Sequence, residues 1–266
     1  MRLFSKRRLE WAIFGLCPFH KQIHLEVDSS RCSANLLRCL TEENRIGGIG
    51  LEQNLLQQFA EGVITREQLH KSVECDFQLL PIVVDNVSSS KARVRYGCAR
   101  VLVDLTTKHP EKLYSHMAFF VSLLDSKYRI LVWNAVTAIA NLCKVDVNKK
   151  FDAIFEKYYT FLSDEYMVTV ANVVGNSSKI ALAKPYLVPR ITVELLRVEK
   201  ISTSAHLTEE CKRVIVEQTI KSFNQFFDKM NAEDKAKVLS FVKKNADSPR
   251  ASLRKEAGLF LKRWHS

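Results

Sequence analysis

The sequence has little glycine and little proline: 8 glycines and 6 prolines in 266 residues, against an average usage of roughly 7% and 5%. Tight turns need residues that tolerate positive φ or that fix φ. The shortage therefore disfavours β-sandwiches, β-barrels and other loop-rich folds, and it favours a mostly helical chain.

The seven cysteines include no Cys-x-x-Cys pair, and most of them lie in apolar runs. Their odd number and their surroundings predict buried free thiols in a reducing cell interior. Cys17, His20 and His24, followed by Cys32 and Cys39, are residue types that bind zinc, but their spacing fits no zinc-finger pattern. We therefore predict no metal site and no other cofactor.

The chain also has no stretch of the roughly 18 apolar residues that a membrane-spanning helix requires. Residues 1–24 begin with basic residues and an apolar run, as a signal peptide does. However, Glu10 interrupts the transition, Pro18 lies in the run, and no small-residue cleavage site follows. We expect a cytoplasmic protein without a membrane partner, in which residues 1–50 form an N-terminal extension of uncertain structure.

The usual motifs of catalytic sites are missing as well. The sequence contains no Gly-rich phosphate loop, no Gly-x-Ser-x-Gly elbow and no His-Glu-x-x-His motif. The seven histidines are scattered, and no acidic residue is paired with any of them at a useful spacing. The sequence therefore predicts a protein that is not an enzyme.

The composition is that of an ordinary soluble protein with a basic excess. Hydrophobic residues make up 47% of the chain and charged residues 26%, which excludes wholesale disorder and suffices for a large core. The 40 lysines and arginines exceed the 29 aspartates and glutamates, so the formal net charge is +11. The length fits one large or elongated domain, or two small ones.

Helical patterns begin at residue 51. Gly62 ends the first apolar-periodic segment, and Thr65 with Gln68 forms a capping-box pattern that opens the next helix. From there to the C-terminus, helical segments of about 15 to 20 residues alternate with short polar breaks. The segments come in pairs.

The second segments of successive pairs repeat one another. Residues 96–105 (YGCARVLVDL) align with residues 133–142 (WNAVTAIANL) at an offset of 37, and residues 168–177 (VTVANVVGNS) follow at an offset of 35. A two-helix period of this length is typical of stacked helical solenoids and not of a globular bundle.

These pairs resemble HEAT repeats. Residues 79–83 (LLPIV), a turn at Ser90 and a helix that opens with Val94-Arg95 match the HEAT pattern, and the C-terminal segment repeats it after the turn at residues 247–249. The resemblance covers about residues 66–264 and is specific for architecture, not for activity. It implies an all-α fold, a right-handed α-α superhelix (a HEAT/armadillo-like solenoid) of about five helix pairs over residues 51–266.

A polar stripe recurs on the second helices of the repeats. Around residues 127–143 nearly every helical direction is apolar except a narrow strip with Asn134, Thr137 and Asn141, and matching polar residues recur in the neighbouring repeats. Since the second helices of a solenoid line its concave side, we name this set the concave ladder. Its residues are Arg93, Arg100, Asp104, Asn134, Thr137, Asn141, Thr169, Asn172, Asn176, Lys179, Gln218, Lys221 and Gln225.

The concave ladder has two interpretations. Asparagine and glutamine offer donors and an acceptor, which suits them to hydrogen-bond the backbone of an extended peptide. Residues 137–141 (TAIAN) also resemble armadillo repeats, whose groove asparagine holds peptide backbone, although Thr137 stands where that family has tryptophan. The ladder thus predicts a non-catalytic scaffold that binds a partner protein or peptide. Alternatively, short polar residues simply fit the narrow strip of a stacked helix.

An alternative function is nucleic-acid binding. Small basic helical solenoids of the HEAT-like alkylpurine DNA glycosylases cradle a duplex, and residues 235–266 of this chain carry nine basic residues against two acidic ones. A charged terminal repeat would show the same excess for solubility alone. The candidate phosphate contacts are Lys91, Arg93, Arg95, Arg100, Lys221, Lys235, Lys237, Lys243, Lys244, Arg250, Arg254, Lys255, Lys262 and Arg263.

Overall fold

The computed structural model describes residues 48–264, with side chains from residue 54 onward. The cysteines and histidines between Cys17 and Cys39 lie outside the described residues, as does nearly all of the predicted extension, so the boundary at residue 50 stays a prediction. Between residues 48 and 264 the regular elements are all helical, with short 3-10 turns and no strand. The α-helices are α1 (Gly48–Glu61), α2 (Arg66–Cys75), α3 (Leu80–Asp85), α4 (Ala92–Lys108), α5 (Pro110–Leu113), α6 (Met117–Leu123), α7 (Arg129–Leu142), α8 (Lys150–Thr160), α9 (Met167–Ala183), α10 (Val188–Leu196), α11 (Glu209–Phe226), α12 (Ala232–Lys244) and α13 (Ala251–Trp264).

The predicted helix signals at residues 62–68 are confirmed. Gly62 adopts a φ of +84° directly after α1, a conformation that glycine reaches without steric cost. Thr65 Oγ1 accepts a hydrogen bond from the backbone N–H of Gln68 at 3.2 Å, and Gln68 Oε1 accepts one from the backbone N–H of Thr65 at 2.7 Å. This reciprocal capping box satisfies two backbone donors at the start of α2.

The later helices form five pairs within the described residues: α3 with α4, α6 with α7, α8 with α9, α10 with α11, and α12 with α13. The second helices pack against one another in chain order, α4 on α7, α7 on α9, α9 on α11 and α11 on α13. Each unit therefore contacts its neighbours in sequence, which defines a solenoid. The predicted helical solenoid is confirmed.

One hydrophobic core runs through the stack. Helix α7 buries residues on almost every side, including Leu131, Ala135, Val136 and Ile139, as expected for a helix enclosed by both neighbours. The described cysteines are free thiols, and burial raises the pKa of Cys98 to about 12.

In the turns between helices, polar groups join successive units. Asp146 lies in the turn before α8, where its carboxylate accepts hydrogen bonds from the backbone N–H groups of Lys150 and Phe151 at 2.8 and 2.9 Å. The Tyr114 hydroxyl donates to Asp146 at 2.6 Å, and the Lys184 ammonium lies 2.9 Å from it. One buried carboxylate thus connects segments from three consecutive units.

Candidate functional site

Asn141 connects three second helices in the middle of the concave ladder. Its Nδ2 donates to Thr106 Oγ1 and Thr107 Oγ1 of α4 at 3.0 and 2.9 Å. Its Oδ1 accepts from the Lys179 Nζ of α9 at 2.8 Å. Both amide hydrogens and one lone pair are therefore engaged within the protein, which fixes the orientation of the side chain.

A second set of hydrogen bonds links α7 to α9. Asn176 Nδ2 donates to Thr137 Oγ1 at 3.3 Å and to the backbone oxygen of Asn172 at 2.9 Å. Trp133 Nε1 donates to Thr169 Oγ1 at 3.0 Å. Thr169 and Asn176 are only 1% and 7% exposed. These two ladder residues therefore lie in the seam between repeats and not on the accessible surface.

The N-terminal end of the concave ladder is covered by the end of α1. Arg93 Nε donates to the backbone oxygen of Phe59 at 2.7 Å, and Arg93 Nη2 donates to that of Ile64 at 3.3 Å. Phe59 is buried against Gly97, where an added Cβ would lie 2.3 Å from the Phe59 ring. Arg93 is thus occupied by backbone carbonyl groups, and the open part of the ladder begins at Arg100.

Two cations lie on this open part. Arg100 Nε is 3.1 Å from Asp104 Oδ1, and the Arg100 side chain is 45% exposed. Lys179 is also exposed, and no carboxylate of the described residues lies within 4 Å of its ammonium group. Desolvation by the surrounding protein, reinforced by the positive charge of Arg100, lowers the pKa of Lys179.

Neutral amides accompany these cations. Asn134 and Asn172 are half-buried on α7 and α9, and Asn172 Nδ2 donates only to the backbone oxygen of Val168 in its own helix. Asn134 makes no side-chain hydrogen bond to another described residue. The two amides therefore keep hydrogen-bonding capacity that Asn141 and Asn176 have already used.

The C-terminal part of the concave ladder stands apart. Lys221 Nζ lies 2.6 Å from Glu217 Oε1, and the other oxygen of Glu217 accepts from Arg250 and Ser252 at 3.1 and 2.6 Å. Gln218 is half-buried and Gln225 is exposed. No side-chain hydrogen bond joins these three α11 ladder residues to α9 within the described chain. The hydrogen-bonded ladder thus spans α4, α7 and α9.

Comparison with known proteins gives a likeness in fold. No protein-family model and no curated relative matches the sequence. Among solved structures, computationally designed armadillo repeat proteins for modular peptide recognition match with a TM-score of 0.56 and 18% identity, over 86% of this chain and 98% of that one. A designed armadillo repeat protein in complex with the peptide (KR)4 matches with a TM-score of 0.52 and 18% identity over the same shares. The chain has an armadillo/HEAT-like solenoid fold.

Several basic residues of this solenoid are occupied by structural contacts. Arg95 is 7% exposed, donates to the backbone oxygens of Ser89 and Ser90 at 2.8 and 3.2 Å, and lies 3.9 Å over the Tyr128 ring. The prediction of Arg95 as a phosphate contact is therefore wrong, because its guanidinium is enclosed by the turn and by the next repeat.

At the C-terminal end of the solenoid the basic excess is partly neutralised. Lys237 pairs with Glu233 at 2.6 Å, Lys244 pairs with Glu199 at 2.8 Å, and Arg250 pairs with Glu210 and Glu217. Other cations of this region have no carboxylate of the described residues within 4 Å; they include Lys235, Lys243, Lys255 and Lys262.

The described part of the solenoid was also compared with what a metal site and a membrane-spanning helix require. Between residues 48 and 264 no group of three or more histidine, cysteine, aspartate or glutamate side chains is arranged to hold a metal ion. In the same region, no helix combines the length and the apolar character needed to cross a bilayer.

Sequence reasoning missed three residues that contribute to the site. Thr106 and Thr107 lie just beyond Asp104, the last α4 residue of the predicted ladder, although Thr106 precedes Asn141 by 35 residues, one repeat. Phe59 precedes the repeats altogether, and only the missing side chain at Gly97 hinted that another residue packs there.

Proposed function

We propose that this solenoid is a non-catalytic scaffold and that it binds an extended segment of a partner protein along the open part of the concave ladder. The observation that carries the proposal is the hydrogen-bonded connection of α4, α7 and α9 through Asn141. This connection fixes the arrangement of the ladder before a partner binds. A preorganised surface loses less conformational entropy on binding.

The distribution of free polar groups supports the same proposal. Asn134 and Asn172 lie half-buried on adjacent helices with unused hydrogen-bond donors or acceptors. The buried residues Thr169 and Asn176, in contrast, form hydrogen bonds within the protein. Amides with unused groups can hydrogen-bond the backbone of an extended chain. Stacked helical repeats also present elongated concave surfaces that suit long segments.

A selection from a random peptide library displayed on phage, with the full chain as bait, tests the proposal. Selected peptides are then titrated by fluorescence anisotropy against wild type and Asn134→Arg, which places a long charged side chain in the ladder. Val193→Arg on α10 is the matched control, because Val193 is 52% exposed on a first helix. We expect Asn134→Arg to weaken binding by about tenfold or more and the control to bind as wild type does.

Two results would contradict the proposal. A library that yields no enriched peptide leaves the ladder without a peptide-binding activity. Equal loss of binding in both variants, with both folded as judged by circular dichroism, places the binding surface somewhere other than the ladder.

Nucleic-acid binding stays the alternative prediction. It requires affinity for duplex DNA that falls steeply as salt rises, because phosphate contacts release counterions. It also requires loss of affinity when Lys243, Lys255 and Lys262 are neutralised together. The cytoplasmic location likewise stays a prediction.

A further inference from the structure

The first unit of the concave ladder is occupied by the chain's own backbone. Arg93 Nε donates to the backbone oxygen of Phe59 at 2.7 Å, and Arg93 Nη2 donates to that of Ile64 at 3.3 Å. Phe59 lies in the last turn of α1, where carbonyl groups lack a partner within the helix and a nearby cation is favourable. Arg93 thus recognises main chain, and its contacts depend little on the side chains of the segment that it holds.

A side chain of the same segment fills a gap in the ladder. Gly97 stands where the next repeat has Asn134, at the offset of 37 residues. The Phe59 ring occupies the space above Gly97, and a Cβ at that position would overlap the ring. Phe59 is 2% exposed, and the guanidinium carbon of Arg93 lies 5.1 Å from the centre of its ring. The gap at Gly97 and the donors of Arg93 together form a niche for an aromatic residue, which we name the Gly97 niche.

The segment that fills the Gly97 niche is thinly attached. Of the α1 side chains that the structure describes, Leu56 and Phe59 alone are buried. Gly62 follows with a φ of +84°, and Val63 is 68% exposed. An element with few buried apolar side chains opens at a lower free energy than a helix enclosed by two neighbours. The niche can therefore be vacated without unfolding of the stack.

We propose that residues 59–64 are an internal ligand of the concave ladder, and that a partner segment with an aromatic side chain displaces them. The proposal rests on the proposed function, and it names the partner's chemistry at the first unit. The partner's ring takes the place of Phe59 against Gly97, and its backbone oxygens accept hydrogen bonds from Arg93. Main-chain hydrogen bonds provide affinity, and the ring provides specificity because a smaller side chain leaves part of the gap empty.

Fluorescence anisotropy with the full chain tests the Gly97 niche. The probe is a labelled peptide with the sequence of residues 54–65 (NLLQQFAEGVIT), and a second peptide has serine in place of its phenylalanine. In wild type the tethered Phe59 competes with the probe at a high effective concentration. We therefore expect the variant Phe59→Ser to bind the probe about tenfold or more tightly than wild type does. The serine peptide should show no such gain.

Further variants locate the binding. Phe59→Ser/Gly97→Ala places a methyl group in the gap and should lose the gain. Phe59→Ser/Gly258→Ala is the matched control and should keep it, because a Cβ at Gly258 meets nothing within 4 Å. Phe59→Ser/Arg93→Met removes the donors and should bind the probe about tenfold more weakly than Phe59→Ser does.

Circular dichroism establishes that each variant is folded. If Phe59→Ser does not fold, Phe59→Leu takes its place in every comparison. Leucine is apolar but fills the gap less completely than phenylalanine, so this variant should still bind the probe more tightly than wild type does.

The partner's chemistry is tested with the phage-displayed peptide library. The bait Phe59→Ser should enrich peptides with phenylalanine, tyrosine or tryptophan more strongly than the wild-type bait does, because its niche is open. The bait Phe59→Ser/Gly97→Ala should not show this enrichment.

Three outcomes of the anisotropy experiment overturn the proposal: equal binding of the probe by wild type and Phe59→Ser, an equal gain with the serine peptide, or an equal effect of Gly97→Ala and Gly258→Ala. A Phe59→Ser bait that enriches aromatic residues no more than wild type does overturns it as well. The proposed function fails separately, in the Asn134→Arg experiment, because Asn134 belongs to the next unit and is not part of the Gly97 niche.

Discussion

Lys184 Nζ lies 2.9 Å from Asp146 Oδ2, and the two side chains are only 4% and 0% exposed. Burial alone would raise the pKa of Asp146, but hydrogen bonds from Tyr114, Lys184 and the backbone of α8 outweigh it and hold that pKa below its usual value. Because the donors around this carboxylate come from three segments, Tyr114, the start of α8 and Lys184, the pair joins three units of the stack.

Removal of the cation from this buried pair should destabilise the protein strongly. Lys184→Met leaves the Asp146 carboxylate buried without its counter-charge, and we expect the free energy of unfolding to fall by about 3–5 kcal/mol. Lys157→Met is the matched control, because its partner Asp125 is 69% exposed, and its cost should stay below about 1 kcal/mol. Urea denaturation followed by circular dichroism measures both, and similar losses would refute the structural role of the pair.

Stability should fall on acidification because of His70. This side chain is 9% exposed, its Nε2 has no described partner, and burial together with the charge of Lys108 lowers its pKa, although Glu74 opposes the shift. The unfolded chain takes up a proton near pH 6.5, whereas the folded protein resists it until lower pH. Above about pH 6.5 His70 is neutral in both states, so its ionisation does not change the free energy of unfolding. As the pH falls below about 6.5, that free energy declines until the pH reaches the pKa of His70 in the folded state.

The urea midpoint at pH 7.5 and at pH 5.5 tests this pH dependence. Wild type should lose more stability between the two values than His70→Phe does. A wild-type pH dependence that survives in His70→Phe would assign the effect to other groups.

Gly97→Ala should disrupt the packing of α1. The new methyl group would lie 2.3 Å from the Phe59 ring, so Phe59 has to move, and we expect a loss of about 1–3 kcal/mol. Gly258→Ala on α13 meets nothing within 4 Å and should instead stabilise by about 0.5–1 kcal/mol. The double variant Phe59→Leu/Gly97→Ala should be more stable than the sum of the single changes predicts. Additive losses would show that the two residues do not contact each other.

Asn141→Leu should weaken the connection between repeats. The substitution leaves Thr106, Thr107 and Lys179 without their shared partner, and we expect a loss of about 1–3 kcal/mol in the free energy of unfolding. Asn172→Leu is the control, because Asn172 donates only to a carbonyl of its own helix. Chemical denaturation of both variants decides the matter, and an Asn172→Leu variant that loses as much would argue against a special role of Asn141.

The repeat architecture could be predicted from the sequence because burial on two sides imposes it. An interior unit must be apolar toward both neighbours, so helix α7 shows apolar residues in nearly every direction, and the period of 35 to 37 residues follows from one helix pair per unit. The capping box at Thr65 was equally predictable, since it depends on residues three positions apart.

The exposure of single ladder residues could not be predicted in the same way. The helical period places Asn134 on the polar strip of α7 and Asn176 on the matching strip of α9. Only the offset between the stacked helices decides that Asn176 is buried and Asn134 is half-buried. Arg95 illustrates the same limit, because the ring that covers it, Tyr128, comes from the next repeat. Contacts outside the repeat register, such as Phe59 with Gly97, leave no periodic signal at all.

The hydrogen bonds of Asn141 also bear on the proposed function. Both amide hydrogens reach back to α4 and the oxygen reaches forward to α9, so the spacing of these helices is set independently of any ligand. Under the proposed function, a bound peptide would meet hydrogen-bonding groups at a spacing that these contacts help to fix. Partners would be sorted by how well the interval between their own residues matches that spacing, and not by how far the ladder can deform to accommodate them.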